Sequence, residues 1–359
     1  MKRNIFILIA LAIILTCNGI YIKLNLVAFE DVLLEKAIRT AIDKPRGSIM
    51  KSDIKTLESL DLSYTDIQTL EGLQFCSNLT TLNLKDTKVS DITPLNEIKQ
   101  LRVLNLSKTA IRDLRPLENQ LNLNILVISD CEYIGDSSHL ETLSSLINLR
   151  EFYALDCDAL NQIDFLKDLP HLERVIFTLK PSHDTTVLES ISVRDLVLSF
   201  YEEVDLKFLQ NMKSVSKLSL EYDGKSDLTP LGHMKWLKTL NIIGYVRNGE
   251  GTLEDLSFLK GLSSLEELDL TNNIINDITP VSNLMQLKKL NLSMNQIDDI
   301  SAIENLTSLI SLDLSNNKLT TIDSLKHLEQ LVDLDVSGNP ITDENIDSTF
   351  ESVQEFNTD

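Results

Sequence analysis

The sequence predicts an α/β fold, a solenoid of short repeats that stacks its strands into a parallel sheet and closes each end with a helical cap. Three observations predict this fold class. A leucine pattern recurs, mostly every 22 residues, along the greater part of the 359 residues. Hydrophobic residues make up 43% of the chain but aromatic residues only 5%, which is typical of thin aliphatic layers stacked in a row. Amphipathic segments that suit helices flank the repeats.

The first 22 residues predict export from the cytoplasm. Lys2 and Arg3 precede an unbroken apolar run from Ile5 to Leu15, the pattern of an export signal. Because no small-x-small cleavage site follows, we expect a membrane tether. It is either a lipoprotein attachment at Cys17 or a signal anchor that spans the bilayer from Ile5 to Ile22, with cleavage and release as a third alternative.

Residues 23–56 are predicted to form a linker and an N-terminal helical cap, because the end coils of a solenoid would otherwise expose leucine to water. The apolar residues that share one face of this helix are Leu33, Leu34, Ala37, Ile38, Ala41 and Ile42. Residues 342–359 are predicted to form a short C-terminal helical cap. Asp343 can start that helix, with Ile346, Phe350 and Val353 at positions i, i+4 and i+7.

Residues 57–341 are predicted to hold about 13 repeats of the pattern LxxLxLxxN, the leucine-rich repeat. The first leucine-type position of each repeat is offset zero here. The repeats start at Leu57, Leu79, Leu101, Leu123, Leu149, Leu172, Val193, Val215, Leu237, Leu265, Leu287, Leu309 and Leu331. The LxL alternation predicts a short strand with its leucines inward, and the later apolar positions close the coil on the opposite side.

The residue at offset eight carries a side chain that can satisfy backbone groups of its own turn and of the adjacent coil. It is Asn273, Asn295, Asn317 and Asn339 in the last four repeats and Thr65, Thr87, Thr109, Cys131 and Cys157 in the first five. Cys131 and Cys157 fall in adjacent coils. We expect buried thiols there, with a disulfide as the alternative.

Offsets two, four, six and seven are predicted to point outward from the sheet, and they are polar in the first and last repeats. Between Leu123 and Leu265 they become apolar or aromatic, which predicts an exposed protein-binding patch. Its residues are Ile125, Val127, Tyr153, Leu155, Ile176, Leu179, Val197, Phe200, Tyr222 and Ile243. Alternatively, these repeats are degenerate, or the longer repeats around Glu132 to Leu140 and Val246 to Thr252 cover the patch.

The chain carries 54 acidic and 33 basic residues, a formal charge of −21, which argues against nucleic acid as a partner. No catalytic or phosphate-binding motif occurs, so we expect neither an enzyme nor a cofactor. Four aspartates share offset four: Asp61, Asp269, Asp313 and Asp335. We interpret them as solvated strand positions, with calcium binding as the alternative, and we expect no metal site.

From the helix FEDVLLEKAIRTAIDKPRGSI through repeats such as LTTLNLKDTKVSDITPLNEIKQ, the sequence resembles the internalin-type leucine-rich-repeat proteins of bacteria. The resemblance covers about Phe29 to Ile341 and includes the DITPL and DISAI closures. It implies a right-handed horseshoe arc, with a parallel sheet on the concave side and 3₁₀ turns outside. It also implies recognition or adhesion of proteins at the cell surface.

The predicted function is that of an extracytoplasmic, membrane-tethered module that binds a protein partner on its concave face. It touches the membrane through its N-terminal segment alone, and we favour a monomer. The alternative is a structural or self-associating envelope protein without a dedicated external ligand.

Overall fold

The computed structural model describes residues 25–359, apart from 135–139, 158–159, 223, 245–252, 343–349, 351–352 and 358–359. The predicted export segment with Cys17 lies outside the described residues, as do most of the predicted C-terminal helix and parts of the two longer repeats. None of the helices in the described part of the chain has the length and hydropathy that a membrane span requires.

The chain divides into two compact units, Met1–His171 and Leu172–Asp359. The first contains helices α1 (Val32–Ala41) and α2 (Lys51–Ile54). Its strands are β1 (Ser59–Asp61), β2 (Thr81–Asn83), β3 (Val103–Asn105), β4 (Ile125–Val127) and β5 (Glu151–Ala154), which pair in chain order as a parallel sheet. Short 3₁₀ helices close its coils at Leu73–Phe75, Thr93–Glu97, Arg115–Leu117, Glu141–Ser145 and Asp164–Asp168.

The second unit continues the same pattern. Its strands are β6 (Arg174–Thr178), β7 (Asp195–Ser199), β8 (Lys217–Tyr222), β9 (Thr239–Gly244), β10 (Glu267–Asp269), β11 (Lys289–Asn291), β12 (Ser311–Asp313), β13 (Asp333–Asp335) and β14 (Glu355–Asn357). Helix α3 (Thr186–Ser190) and 3₁₀ helices at Lys207–Asn211, Thr229–His233, Ser257–Gly261, Thr279–Asn283, Ser301–Ile303 and Asp323–Leu325 close the coils. The predicted solenoid of parallel strands is confirmed in both units.

The leucines of the LxL pattern form continuous buried rows. Leu268, Leu290, Leu312 and Leu334 are register partners from β10 to β13, and each is buried. Because side chains alternate between the two faces of a strand, the residues on either side of each leucine point the opposite way. Each coil therefore hides its leucines against its neighbours and presents a separate row to solvent.

The asparagines at offset eight join successive coils, as the sequence predicts. Asn295 Nδ2 donates to the carbonyl oxygens of Leu270 and Leu292, at 2.9 and 3.0 Å, and its Oδ1 accepts from the N–H of Ile275 at 3.1 Å. Asn273, Asn317 and Asn339 repeat the arrangement.

In the first unit the smaller side chains at this position make fewer bonds. The hydroxyls of Thr65, Thr87 and Thr109 each donate to the carbonyl three residues earlier. The Cys157 thiol donates to the carbonyl of Cys131 at 3.2 Å, and both cysteines are buried free thiols. The expected thiol state is the one found.

The N-terminal cap is fixed to the first repeat through Asp31. Its carboxylate accepts from the N–H groups of Leu33 and Leu34 at the start of α1, at 2.8 and 3.2 Å, and from the N–H of Gln68 at 2.8 Å. Leu34 and Ile38 are buried, whereas Leu33 and Ala41 are exposed, so the predicted apolar face is too wide. That face spans roughly half of the helix circumference, at about 100° per residue, and only Leu34 and Ile38 within it are fully covered.

A fourteenth strand follows the last predicted repeat. Phe356 of β14 is the register partner of Leu334. The N–H of Val353 donates to the Phe350 carbonyl at 2.9 Å, as Leu331 N–H donates to Leu328 at 3.0 Å one repeat earlier. Val353 therefore starts a further repeat, and its assignment to the C-terminal helix was wrong. The helical spacing and the repeat spacing coincide at this residue, so the sequence pattern alone did not separate them.

Replacing Asn295 with alanine should lower the free energy of unfolding by about 2–4 kcal/mol, because a buried backbone group left without its partner costs about 1–3 kcal/mol. Chemical denaturation monitored by circular dichroism measures the change. The matched control is Asn305→Ala, an exposed asparagine of the same repeat, with an expected change within about 0.5 kcal/mol. Equal effects of the two substitutions would contradict the ladder's role.

Candidate protein-binding faces

Most repeats end their strand with a side-chain hydrogen bond and a tight turn. In the second unit, the side chains of Asp269, Asn291 and Asp313 at offset four each accept from the N–H two residues later, at 2.9–3.0 Å. The residue at offset seven then takes a left-handed conformation, as at Asn272 (φ 59°) and Asn316 (φ 55°). The strand is therefore only three residues long, and the residue at offset seven lies in the turn.

This turn explains the aspartates at offset four. Besides Asp269 and Asp313, Asp61 and Asp335 also accept from the backbone N–H two residues later, at 2.9 Å. Hydrogen bonds from the Ser63 side chain and backbone hold the pKa of Asp61 below its usual value. No group of three or more His, Cys, Asp or Glu side chains in the described residues is arranged to hold a metal ion. We therefore assign these carboxylates a turn-forming role.

Four repeats of the second unit, from Leu172 to Leu237, end differently. Their strands β6 to β9 are five or six residues long, and the residues at offset seven are absent from the left-handed positions of the described chain. Offset four carries Ile176, Val197, Ser219 and Asn241. Because these strands stay extended, the two-residue alternation continues, and offset seven points inward with offsets three and five.

The longer strands correct four residues of the predicted patch. Leu179 and Phe200, both at offset seven, are each 1% exposed and belong to the core. Ile176, at offset four, is also buried, at 7% exposed. The Tyr222 hydroxyl donates to the Ser226 carbonyl at 3.0 Å, and its ring meets Phe200 edge-on at 6.3 Å between centroids. Leu179, Phe200 and Tyr222 were assigned outward on the assumption that every repeat turns at offset seven. Ile176 keeps an outward offset and is nevertheless covered.

The predicted patch residues of the first unit lie together and form what we call the first face: Ile125, Val127, Tyr153 and Leu155. All four are half-buried. Val127 is the register partner of Tyr153 across β4 and β5, and of Asn105 on β3. The Tyr153 hydroxyl donates to the Glu151 carboxylate. The first face is therefore an apolar group on two adjacent strands, with one charged side chain at its edge.

The second unit retains Val197, half-buried, and Ile243, 46% exposed, which we call the second face. Polar contacts lie beside both residues. Asn241 Nδ2 donates to Ser219 Oγ at 3.0 Å, and Arg174 Nε lies 3.3 Å from Asp195 Oδ2. The two apolar residues lie two strands apart, with β8 between them, so the second face is more polar than predicted.

Tyr201 is an exposed aromatic residue that the sequence analysis missed. It stands at offset eight, which an extended strand turns outward. The sequence does carry a signal for this change. Six of the nine left-handed residues at offset seven are Asp, Asn or Gly, which tolerate that conformation, whereas the extended repeats carry residues such as Leu179 and Phe200 there.

Comparisons with known proteins agree with this architecture. The family model described as leucine rich repeat matches residues 285–341, and the two-copy leucine rich repeat model matches residues 55–97 and 263–305. The crystal structure of an internalin, InlF from Listeria monocytogenes, aligns with 91% of this chain and 95% of its own, at 26% identity and a TM-score of 0.68. These matches show the leucine-rich-repeat fold, and the chain is similar to an internalin.

Other structural matches are weaker. The structure of the TLR13–ssRNA13 complex aligns with 83% of this chain and 55% of its own, at 18% identity and a TM-score of 0.55, which shows the fold alone. An internalin C2 from Listeria monocytogenes aligns with 80% of this chain and 94% of its own, at 21% identity, but its TM-score of 0.33 does not establish a shared fold. No curated protein sequence matches the chain. Leucine-rich-repeat proteins are generally interaction modules rather than enzymes.

Two residues of the predicted patch, one buried and one exposed, should respond differently to substitution by aspartate. Phe200→Asp should lower the free energy of unfolding by more than about 3 kcal/mol, because it places a carboxylate in a filled apolar site. Ile243→Asp, the control, should change it by less than about 1 kcal/mol, since that side chain is exposed. Thermal melts of both variants measure the difference. A Phe200→Asp protein as stable as the parent would show that Phe200 points outward.

Proposed function

We propose that this chain is an extracytoplasmic, membrane-tethered module that recognises a protein partner, and that the first face contributes the centre of the interface. The observation that carries the proposal is that apolar side chains replace turn-forming ones at offset four of β4 and β5, where nothing in the backbone calls for them. Val127 and Tyr153 stand where Asn83, Asn105 and Asp61 bond to the backbone in β1 to β3.

The turn itself persists in these two repeats. Asp130 and Asp156 at offset seven have left-handed φ values of 56° and 51°, like their counterparts elsewhere. The fold therefore gains no altered strand from Val127 and Tyr153, and each gives up a capping hydrogen bond. Keeping a cluster of partly exposed apolar side chains costs hydration free energy. That cost is offset when a partner covers them.

The second face supports the proposal less directly. In β6 and β7 the apolar residues at offset four coincide with longer strands, so Ile176 and Val197 have a structural explanation. Ile243 and Tyr201 are exposed and add apolar and aromatic surface to this unit. We assign the second face a supporting role.

The tether rests on the N-terminal sequence. Lys2, Arg3 and the apolar run that follows direct the chain across a membrane. Retention then requires either lipid on Cys17 or a span from Ile5 to Ile22. The acidic charge of the repeats favours protein partners over nucleic acid.

A photoreactive amino acid at position 127 of the full chain, activated in intact cells, tests the first face. We expect an adduct with a distinct protein, and we expect Tyr153→Asp to reduce it on the order of tenfold, as loss of a central contact does. The control variant is Asn83→Asp on β2, two strands from position 127. It adds the same charge at the same offset and should leave the adduct unchanged. An adduct to a second copy of the chain would support the self-associating envelope protein instead. The photoreactive residue is also placed at exposed position Lys318 as a background control. The same adducts at positions 127 and 318 would contradict a binding role for the first face.

Metabolic labelling with palmitate tests the tether in the same cells. Label on the parent chain that is lost in Cys17→Ser identifies the lipoprotein form. Retention in the membrane fraction without any label identifies the span. Release of the intact chain into the medium would contradict both forms of the tether.

A further inference from the structure

The N-terminal cap exposes an apolar helix face. On α1, Val32, Leu33, Lys36, Thr40 and Ala41 are exposed and Ala37 is half-buried, and we call these six residues the outer face of α1. Val32 is 78% exposed and Leu33 43%. Lys36 is the sole charged residue among the six, and no acidic residue lies on this face.

The polar groups of α1 are already bonded within the helix. The Thr40 hydroxyl donates to the Lys36 carbonyl at 3.0 Å, which lowers its need for water. Glu35 and Arg39, beside the outer face, pair with each other at 2.7 Å. What this face offers a partner is therefore aliphatic surface and one ammonium group. That combination suits the boundary of a lipid layer, where a lysine extends its charge toward the headgroups.

The path of the chain places the cap that carries this face close to the proposed anchor. Leu26 forms a bridge with Met50, and the Val27 N–H donates to the Ile49 carbonyl at 2.9 Å, so the chain is held to the cap from Leu26 onward. Four residue steps separate Ile22 from Leu26, which span at most about 14 Å at about 3.6 Å per residue. From Cys17 the limit is about 32 Å on the same basis. Either anchor keeps the cap beside the membrane.

Charge favours the cap over the repeats as the part that approaches lipid. Residues 25–56 contain six basic and five acidic residues, whereas residues 57–359 contain 24 basic and 49 acidic residues. Anionic headgroups repel the repeats and not the cap. The same distribution points the repeats away from the surface.

We propose that the outer face of α1 lies on the lipid surface of the membrane that holds the N-terminal segment. The inference rests on the tether proposed above. A few aliphatic side chains bind a bilayer weakly by themselves, and the anchor supplies the high local concentration that makes such a contact persist. The contact sets the direction in which the first repeats leave the membrane.

The test uses the full chain reconstituted in vesicles of phosphatidylcholine and phosphatidylglycerol, with a fluorophore on Thr40→Cys. The control position is Lys318→Cys, also exposed. Cys76, Cys131 and Cys157 are buried. The parent protein, treated with the fluorophore in parallel, measures any label on Cys17, and that signal is subtracted. Lipids that carry a spin label near the headgroup should quench position 40 at least about twofold more than position 318, because the quencher must reach the fluorophore at the bilayer boundary.

The variant Val32→Asp with Leu33→Asp should bring the quenching of position 40 down to that of position 318 without releasing the chain from vesicles. Met285→Asp with Ile310→Asp removes comparable exposed apolar surface elsewhere and should leave the quenching unchanged. A chain that floats with vesicles but shows equal quenching at the two positions overturns this inference alone. A chain that does not float with vesicles overturns the tether and this inference with it.

Discussion

Each coil of this chain buries its leucines only against the coils before and after it, since a single coil is too thin to have an interior. The regular spacing follows, because Leu290 meets Leu312 only if the strands that carry them remain in register. The asparagine ladder follows as well, since stacking encloses backbone carbonyls that need a donor. The ends need covers for the same reason, and Asp31 fixes one cover to the first repeat while β14 extends the other end.

Within that constraint, the end of each strand decides what a repeat shows to solvent. Where offset four bonds to the backbone and offset seven is left-handed, the surface row is polar and the strand is short. Where the strand stays extended, as in β6 to β9, side chains such as Leu179 and Phe200 enter the core, and Tyr201 at offset eight of the β7 repeat is exposed. The first face is distinctive because it keeps the turn and still carries Val127 and Tyr153.

The two surfaces proposed for interaction differ in chemistry, and each suits a different kind of partner. The first face combines aliphatic side chains with Tyr153 on two strands of a stiff sheet, which suits a shaped protein partner. The outer face of α1 is aliphatic with one lysine and lies within a few residues of the anchor, which suits an unstructured lipid surface. The repeats as a whole are acidic, so they remain well solvated and repel anionic headgroups.

The sequence by itself determined the repeat, the inward rows, the offset-eight ladder and the helix at the N-terminus, because these depend on short-range spacing that every coil repeats. It placed Val127 and Tyr153 on the outward row of the sheet for the same reason, and both are partly exposed. The bulky side chains of Phe200 and Leu179 at offset seven disfavour the left-handed turn, so the sequence held a signal there, but only the tertiary structure decided that both are buried. It alone also decided that Leu33 is exposed and that Val353 begins another coil. At these two residues two local patterns fit equally, and contact with the neighbouring coil selected between them.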